Sequence, residues 1–258
     1  MKIAIYGDSY ANLNLDQPND GRGQSWVDIV EQQHDVTNFG FAGTSIYYSY
    51  LKFKEHNANF DYNIFIITHP DRIYNRKLNE IIDQESWYTN YRHVDLWSKQ
   101  DNTSRQAEII NSVKTYYKFW KDEETENDLN ISLAENLIHC YSNCLFIYAF
   151  SKLVCPALKN EYGLIDITCM EQEESGWIEK YSDNRIHMGH LDADNRMLED
   201  YRLNHLCEEN NIILGNKILD ALNKKLTMLD INLKDFVVPK HNIDFYVRWN
   251  KKYDTRNN

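Results

Sequence analysis

Four prolines and nine glycines among 258 residues are too few for a collagen-like or low-complexity chain. No run of about 18 apolar residues occurs, which argues against a membrane-spanning helix. The five cysteines are an odd number without paired spacings, so they read as reduced thiols rather than a disulfide framework. Cys140 and Cys144 sit at i, i+4 spacing and are expected to share a helix face. Positive charge is also short: 28 Lys and Arg face 39 Asp and Glu, for a net charge of -11. Duplex nucleic acid needs clustered cations and is not the expected partner. The basic tail of Lys251, Lys252 and Arg256 is too small to change that. The opening stretch Met1–Ala11 reaches charge too soon for a secretory signal, so a cytoplasmic protein is expected.

A hydrophobic fraction of 42% is enough to build a core, and the length suits one large domain or a domain with an insertion. Aromatic residues make up 13%, including 18 tyrosines. That excess reads equally as a sugar-contacting aromatic surface or as compositional bias.

Lys2–Tyr6 is a short apolar run stopped by Gly7-Asp8-Ser9, the pattern of a buried strand ending in a turn. A loop over Asn12–Gly23 leads to a helix from Ser25, which suits its N-cap. Val36–Phe39 reads as a second strand, closed by Gly40 and Gly43, with a helix over Ser45–Phe53 behind it. Tyr62–Thr68 is the clearest buried strand, and Leu145–Phe150 is another. Between them, Arg72–Asn130 carries no strand signal. Helical spacing covers Gln106–Trp120 and Ile131–Asn143, and the charge run Lys121–Asp128 reads as a loop between the two. Leu206–Leu226 is the final helix. Strand and helix alternate, which predicts an α/β domain with a mostly parallel sheet, flanking helices and a helical insertion. The expected boundaries are 1–226 for this domain, about 72–143 for the insertion and 227–258 for a tail packed on the domain or on a partner.

Ligands of open α/β sheets gather at the carboxyl ends of the strands. Three strand ends carry polar or glycine-rich residues: Gly7-Asp8-Ser9, Asn38–Thr44 and Thr68–Arg72. Ser9 stands where an exposed nucleophile would stand, and it needs a base from another strand end to act. Asp8, Thr68, Asp71 and Arg72 are candidates to contact substrate. Arg72 suits a carboxylate or phosphate, although an ion pair with Asp71 or another nearby acid is the favoured account.

Ile5–Ala11, Asn38–Ser45 and Asn204–Asn210 running into Ile213-Leu214-Gly215 together resemble the blocks of the SGNH/GDSL hydrolases, in the family's order over roughly residues 1–226. The resemblance implies a three-layer, flavodoxin-like fold of SGNH type. It implies Ser9 as nucleophile, His205 as base and an oxyanion hole made by the Ser9 and Gly43 N–H groups. No cofactor is implied. Two positions depart from the pattern. Pro70 stands where the third block has its Asn, which leaves His69, Thr68 or Arg72 as the substitute oxyanion donor, with His69 first among them. Arg202 stands where the acid precedes the His, which leaves Asp200, five residues before His205, as the candidate acid, with Asp192 and Asp194 upstream as alternatives from a displaced loop. The Gly-Asp-Ser-Tyr opening, Thr68-His69-Pro70-Asp71-Arg72 and Asn204-His205 are similar to phage-encoded members of the superfamily.

Other clusters have blander readings. His187, His190, Asp192 and Asp194 have metal-ligand chemistry but no helical register, so a polar loop is favoured and no metal site is expected. His139, beside Cys140, reads as a core histidine. Trp87, Trp97 and Trp120, with Tyr88, Tyr91, Tyr116 and Tyr117, read as packing of the insertion, ahead of a lid or a sugar-stacking surface.

Two functions remain open on these grounds. One is a serine esterase, with a small ester or an acylated carbohydrate as substrate. The other is a catalytically reduced binding or structural protein, such as a phage virion or accessory component, with a protein partner or a second copy of the chain.

Overall fold

In a computed structural model, the residues described are 1–11, 24–41, 43–69, 72–74, 88–89, 103–149, 162–164, 166–167, 206 and 208–237. The elements in chain order are β1 (Lys2–Tyr6), α1 (Trp26–Glu31), β2 (Asp35–Asn38), α2 (Ile46–His56) and β3 (Tyr62–Ile67). They continue with β4 (Ile73–Tyr74), β5 (Tyr88–Thr89), α3 (Ser104–Phe119), α4 (Glu123–Cys140), β6 (Cys144–Tyr148) and α5 (Glu208–Asn223).

The apolar runs that read as buried strands form a parallel sheet in the order β2-β1-β3-β6. The register pairs Ile3 with Val36 and with Tyr62, and Phe65 with Phe146. Met228 adds a parallel bridge to Phe146 at the outer edge, so the order extends in the flavodoxin-like sense. The fold is α/β as expected, and its topological switch lies at β1, where the chain turns from β2 on one side to β3 on the other.

Alternation along the strands sends different side chains to the two faces. Ile3, Ile5, Ile64, Ile66, Leu145 and Ile147 pack with α1 and α5. Tyr6, Phe65, Phe146 and Tyr148 pack with Ile46 and Phe53 of α2 and Ala134 and Leu137 of α4. The second face is a stack of rings. Tyr6 lies on Phe39 at 5.3 Å between centroids, Phe39 lies on His56 at 4.3 Å, and Phe53 meets Tyr141 edge-on at 4.7 Å. Much of the aromatic excess is therefore core. Burial raises the Tyr6 phenol above its ordinary value, and it donates to Asn63 Oδ1 at 3.3 Å.

Helix starts follow their caps. Ser25 and Asp28 form a reciprocal capping box at α1, and Thr103 and Gln106 form another at α3. Several sequence expectations are corrected here. Most of Lys121–Asp128 is helix, because Asp122 accepts from the Thr125 backbone N–H and starts α4 at Glu123. Cys140 ends that helix while Cys144 opens β6, so the two share no helix face. His139 is exposed rather than in the core. The segment after β3 holds the short antiparallel pair β4–β5. Trp120 is 76% exposed at the end of α3, and Phe119 beside it is 68% exposed, so neither packs the insertion; Trp87 and Trp97 lie outside the described residues.

Residues 227–237 close the α1/α5 face. Leu229, Ile231 and Phe236 are buried with it, and the Asn210 side chain bonds both the N–H and the carbonyl of Val237. Among the described residues, no helix is long and apolar enough to cross a membrane.

Candidate active site

β1 ends in a turn built by its own residues. Asp8 Oδ1 accepts from the Tyr10 N–H at 3.1 Å, and the Asp8 carbonyl accepts from the Ala11 N–H at 2.9 Å. Gly7 has φ +154°, and a Cβ there would lie 2.5 Å from Ile66 Cβ, so only glycine lets β1 turn this close to β3. Ser9 is half-buried on that turn, at the carboxyl edge of the sheet and beside the switch point.

The loop after β2 is laced onto the same turn. The Gly7 carbonyl accepts from the Phe41 N–H at 3.0 Å and from Thr44 Oγ1 at 3.1 Å. Gly43, next to Thr44, has φ +77°, the left-handed region that glycine enters without steric cost. Asn38 secures the other end of the loop, donating to the Ala11 carbonyl at 2.5 Å and accepting from the Gly40 N–H at 2.8 Å.

The end of β3 completes the arrangement. The Asp8 carboxylate is fully buried and accepts from Thr68 Oγ1 at 2.5 Å and from Arg72 Nη1 at 2.6 Å. Arg72 Nη1 also lies 2.7 Å from Thr68 Oγ1 and 3.2 Å from the Thr44 carbonyl. A buried carboxylate without a cation is expensive, and here a cation and a hydroxyl compensate it. Three of the four residues named as substrate contacts, Asp8, Thr68 and Arg72, thus meet one another. Arg72 pairs with an acid 64 residues away in the chain. His69 is partly buried beside them.

A further chain of contacts leads from Ser9's neighbour toward α5. Trp26 Nε1 donates to the Tyr10 carbonyl at 2.7 Å, and the Trp26 N–H donates to Asn211 Oδ1 at 3.2 Å. Asn211 Nδ2 donates to the carbonyl of Leu206 at 3.0 Å. All four residues are buried. The residue after Ser9 is therefore linked to the residue after His205 through two side chains. Asp71, Asp200 and His205 lie outside the described residues, as does the cluster from His187 to Asp194. Among the described residues, no three His, Cys, Asp or Glu side chains are grouped to hold a metal ion.

Thr44, Trp26 and Asn211 escaped the sequence reading as site-building residues. Thr44 had a usable signal, since it directly follows the glycine of the second block. Trp26 and Asn211 had none, because their contacts join distant elements.

No family model matches the chain, and no curated protein does. Among solved structures, it is similar to the acetyl xylan esterase Axe2 from Geobacillus stearothermophilus. A tryptophan-to-isoleucine variant of that enzyme is 14% identical over 90% of this chain and 96% of that one, with a TM-score of 0.34. The structure titled simply as Axe2 is 14% identical over 86% and 93%, with a TM-score of 0.33. An acetyl xylan esterase called AlAXEase is 15% identical over 86% of this chain and all of that one, with a TM-score of 0.27. These are loose likenesses. The architecture rests on strand order, register and the two packed faces.

Proposed function

We propose that this protein is a serine esterase of SGNH type, with Ser9 as nucleophile and His205 as base. The observation that carries the proposal is the linkage through Trp26 and Asn211, which ties Tyr10 to Leu206. It brings the neighbours of the two residues into one buried assembly at the edge of the sheet where ligands gather.

In this reading Ser9 Oγ attacks the carbonyl carbon of a short acyl ester while its proton passes to the imidazole of His205. The oxyanion accepts hydrogen bonds from the backbone N–H groups of Ser9 and Gly43. The carbon–oxygen bond to the alcohol then breaks, and the alcohol leaves with the proton from His205. Water, deprotonated by His205, attacks the acyl-enzyme. This releases the carboxylic acid and restores Ser9. Asp200 is the proposed acid that orients His205, and His69 is proposed to add to the oxyanion site. A small ester or an acylated carbohydrate is the proposed substrate.

A second reading, a binding or structural protein that has lost turnover, has its own support. Thr68 and Arg72 direct polar groups at Asp8, and Pro70 replaces the side-chain donor of the third block. Its partner would be another protein or a second copy of the chain, as in a phage particle.

A fluorophosphonate distinguishes the readings. The esterase reading predicts one adduct by intact mass on the parent protein and none on Ser9→Ala. Absence of an adduct on folded parent protein gives the lead to the binding reading.

A further inference from the structure

We propose that Arg72 is a positioning residue for the oxyanion site, joining by its Nη1 group the three loops that carry Ser9, Gly43 and His69. The inference rests on the esterase reading and deepens it. Nη1 reaches the Asp8 carboxylate on the first loop at 2.6 Å, the Thr44 carbonyl on the second at 3.2 Å and the Thr68 hydroxyl on the third at 2.7 Å. Each contacted residue is the chain neighbour of a proposed catalytic group: Asp8 precedes Ser9, Thr44 follows Gly43 and Thr68 precedes His69. The Thr44 hydroxyl closes the ring by donating to the Gly7 carbonyl at 3.1 Å.

This joint bears on catalysis because the proposed hole consists of backbone N–H groups on separate loops. Nothing covalent sets the spacing between the Ser9 and Gly43 N–H groups. A guanidinium can do so, being permanently charged, planar and rich in donors in fixed directions. It is 10% exposed and Asp8 is wholly buried, so water competes weakly for the bonds. A hole displaced by about 1 Å loses on the order of 10²-fold in rate. Arg72 therefore acts through Asp8 and Thr44, without needing to touch the substrate.

The test measures the rate of fluorophosphonate labelling at Ser9, split into reversible affinity and the maximal first-order rate. Three variants are compared with the parent: Arg72→Ala, Arg72→Lys and Thr68→Val. Lys217→Met, on α5, breaks an ion pair with Asp235 far along the chain from these loops, and controls for general destabilisation. The expected result is a fall of about 10²-fold in the maximal rate for Arg72→Ala, with affinity little changed. Added guanidinium at low millimolar concentration should restore part of that rate, Arg72→Lys should fall between, and Lys217→Met should label as the parent does. Rescue by guanidinium is a response that a purely structural loss would not give. If Arg72→Ala fails to fold, Thr68→Val decides, because it removes the hydroxyl that Nη1 holds on the third loop, with a smaller fall expected in the same rate. Labelling of Arg72→Ala at the parent rate, or a parent rate for Thr68→Val where Arg72→Ala does not fold, overturns this role while leaving the esterase reading intact. No labelling of the parent protein overturns both.

Discussion

The two faces of the sheet are filled by different chemistry. Toward α1 and α5, the central strands present Ile3, Ile5, Ile64, Ile66, Leu145 and Ile147. Toward α2 and α4, the same strands present Tyr6, Phe65, Phe146 and Tyr148, and loop and helix residues extend the ring stack. The aliphatic face brings its helices close together: a Cβ on Gly215 of α5 would lie 2.6 Å from Ile29 Cβ of α1. The aromatic face fills its layer with broad rings. The difference assigns the faces separate tasks. The aliphatic side carries the long-range tie from Tyr10 through Trp26 and Asn211 to the start of α5. The aromatic side seats Ile46, just after the loop that carries Gly43. The candidate site stands at the strand ends between them, where Arg72 joins the loops after β1, β2 and β3.

Truncation on the aromatic face should show the largest effect. Phe65 is fully buried between Tyr6, Phe53 and Phe146. Phe65→Ala should cost about 3–5 kcal/mol in urea unfolding. A cost near 1 kcal/mol would mean that the rings collapse into the space, and would remove the contrast between the faces.

A pH experiment sharpens the contrast from the aliphatic side. Burial, with the Cys144 thiol adding to it, pushes the Tyr62 phenol up to about 12, and its hydroxyl donates to the Leu226 carbonyl at 2.7 Å. The folded protein holds this proton more tightly than the unfolded chain, whose tyrosines titrate at about 10. The stabilisation is complete below that value and is lost as pH rises through about 12. Between those limits the parent should lose about 2–3 kcal/mol more than Tyr62→Phe does. Parallel stability profiles for the two proteins would contradict the assignment.

Gly215→Ala probes the close approach itself. Alanine favours an isolated helix by about 1 kcal/mol over glycine. The contact with Ile29 should outweigh this and leave a net loss of about 1–3 kcal/mol by denaturant titration. Net stabilisation would show that α1 yields. The smallest expected effect is that of Ile147→Val, about 0.5–1.5 kcal/mol, since it removes one methylene from the aliphatic layer.

What could be read in the sequence divides along physical lines. The central strands were legible because continuous apolar runs such as Ile3–Tyr6 and Ile64–Ile67 have no polar face to offer water. Ser25 announced its helix because a capping side chain acts within three residues. The start of α4 was missed because the charge run after Asp122 has no apolar period, although Asp122 is itself a capping residue. His139 was misjudged because an apolar neighbour in sequence is not a neighbour around a helix. Ser9 and Gly43 stood out as glycine-turn chemistry at strand ends. Asp8 as the partner of Arg72 did not, since the strand order that joins β1 to β3 is a long-range property. A signal was present: an acid directly after a buried strand needs a cation, and Arg72 stands at the end of the strand that pairs with it.

The central claim is that Ser9 is an activated nucleophile on this edge of the sheet. Intact-mass measurement after fluorophosphonate treatment, on the parent, Ser9→Ala and His205→Ala, tests it most directly. The account predicts a single adduct on the parent, none on Ser9→Ala and labelling slowed by several orders of magnitude on His205→Ala. A folded parent protein that takes no adduct, or one whose adduct persists in Ser9→Ala, would contradict it.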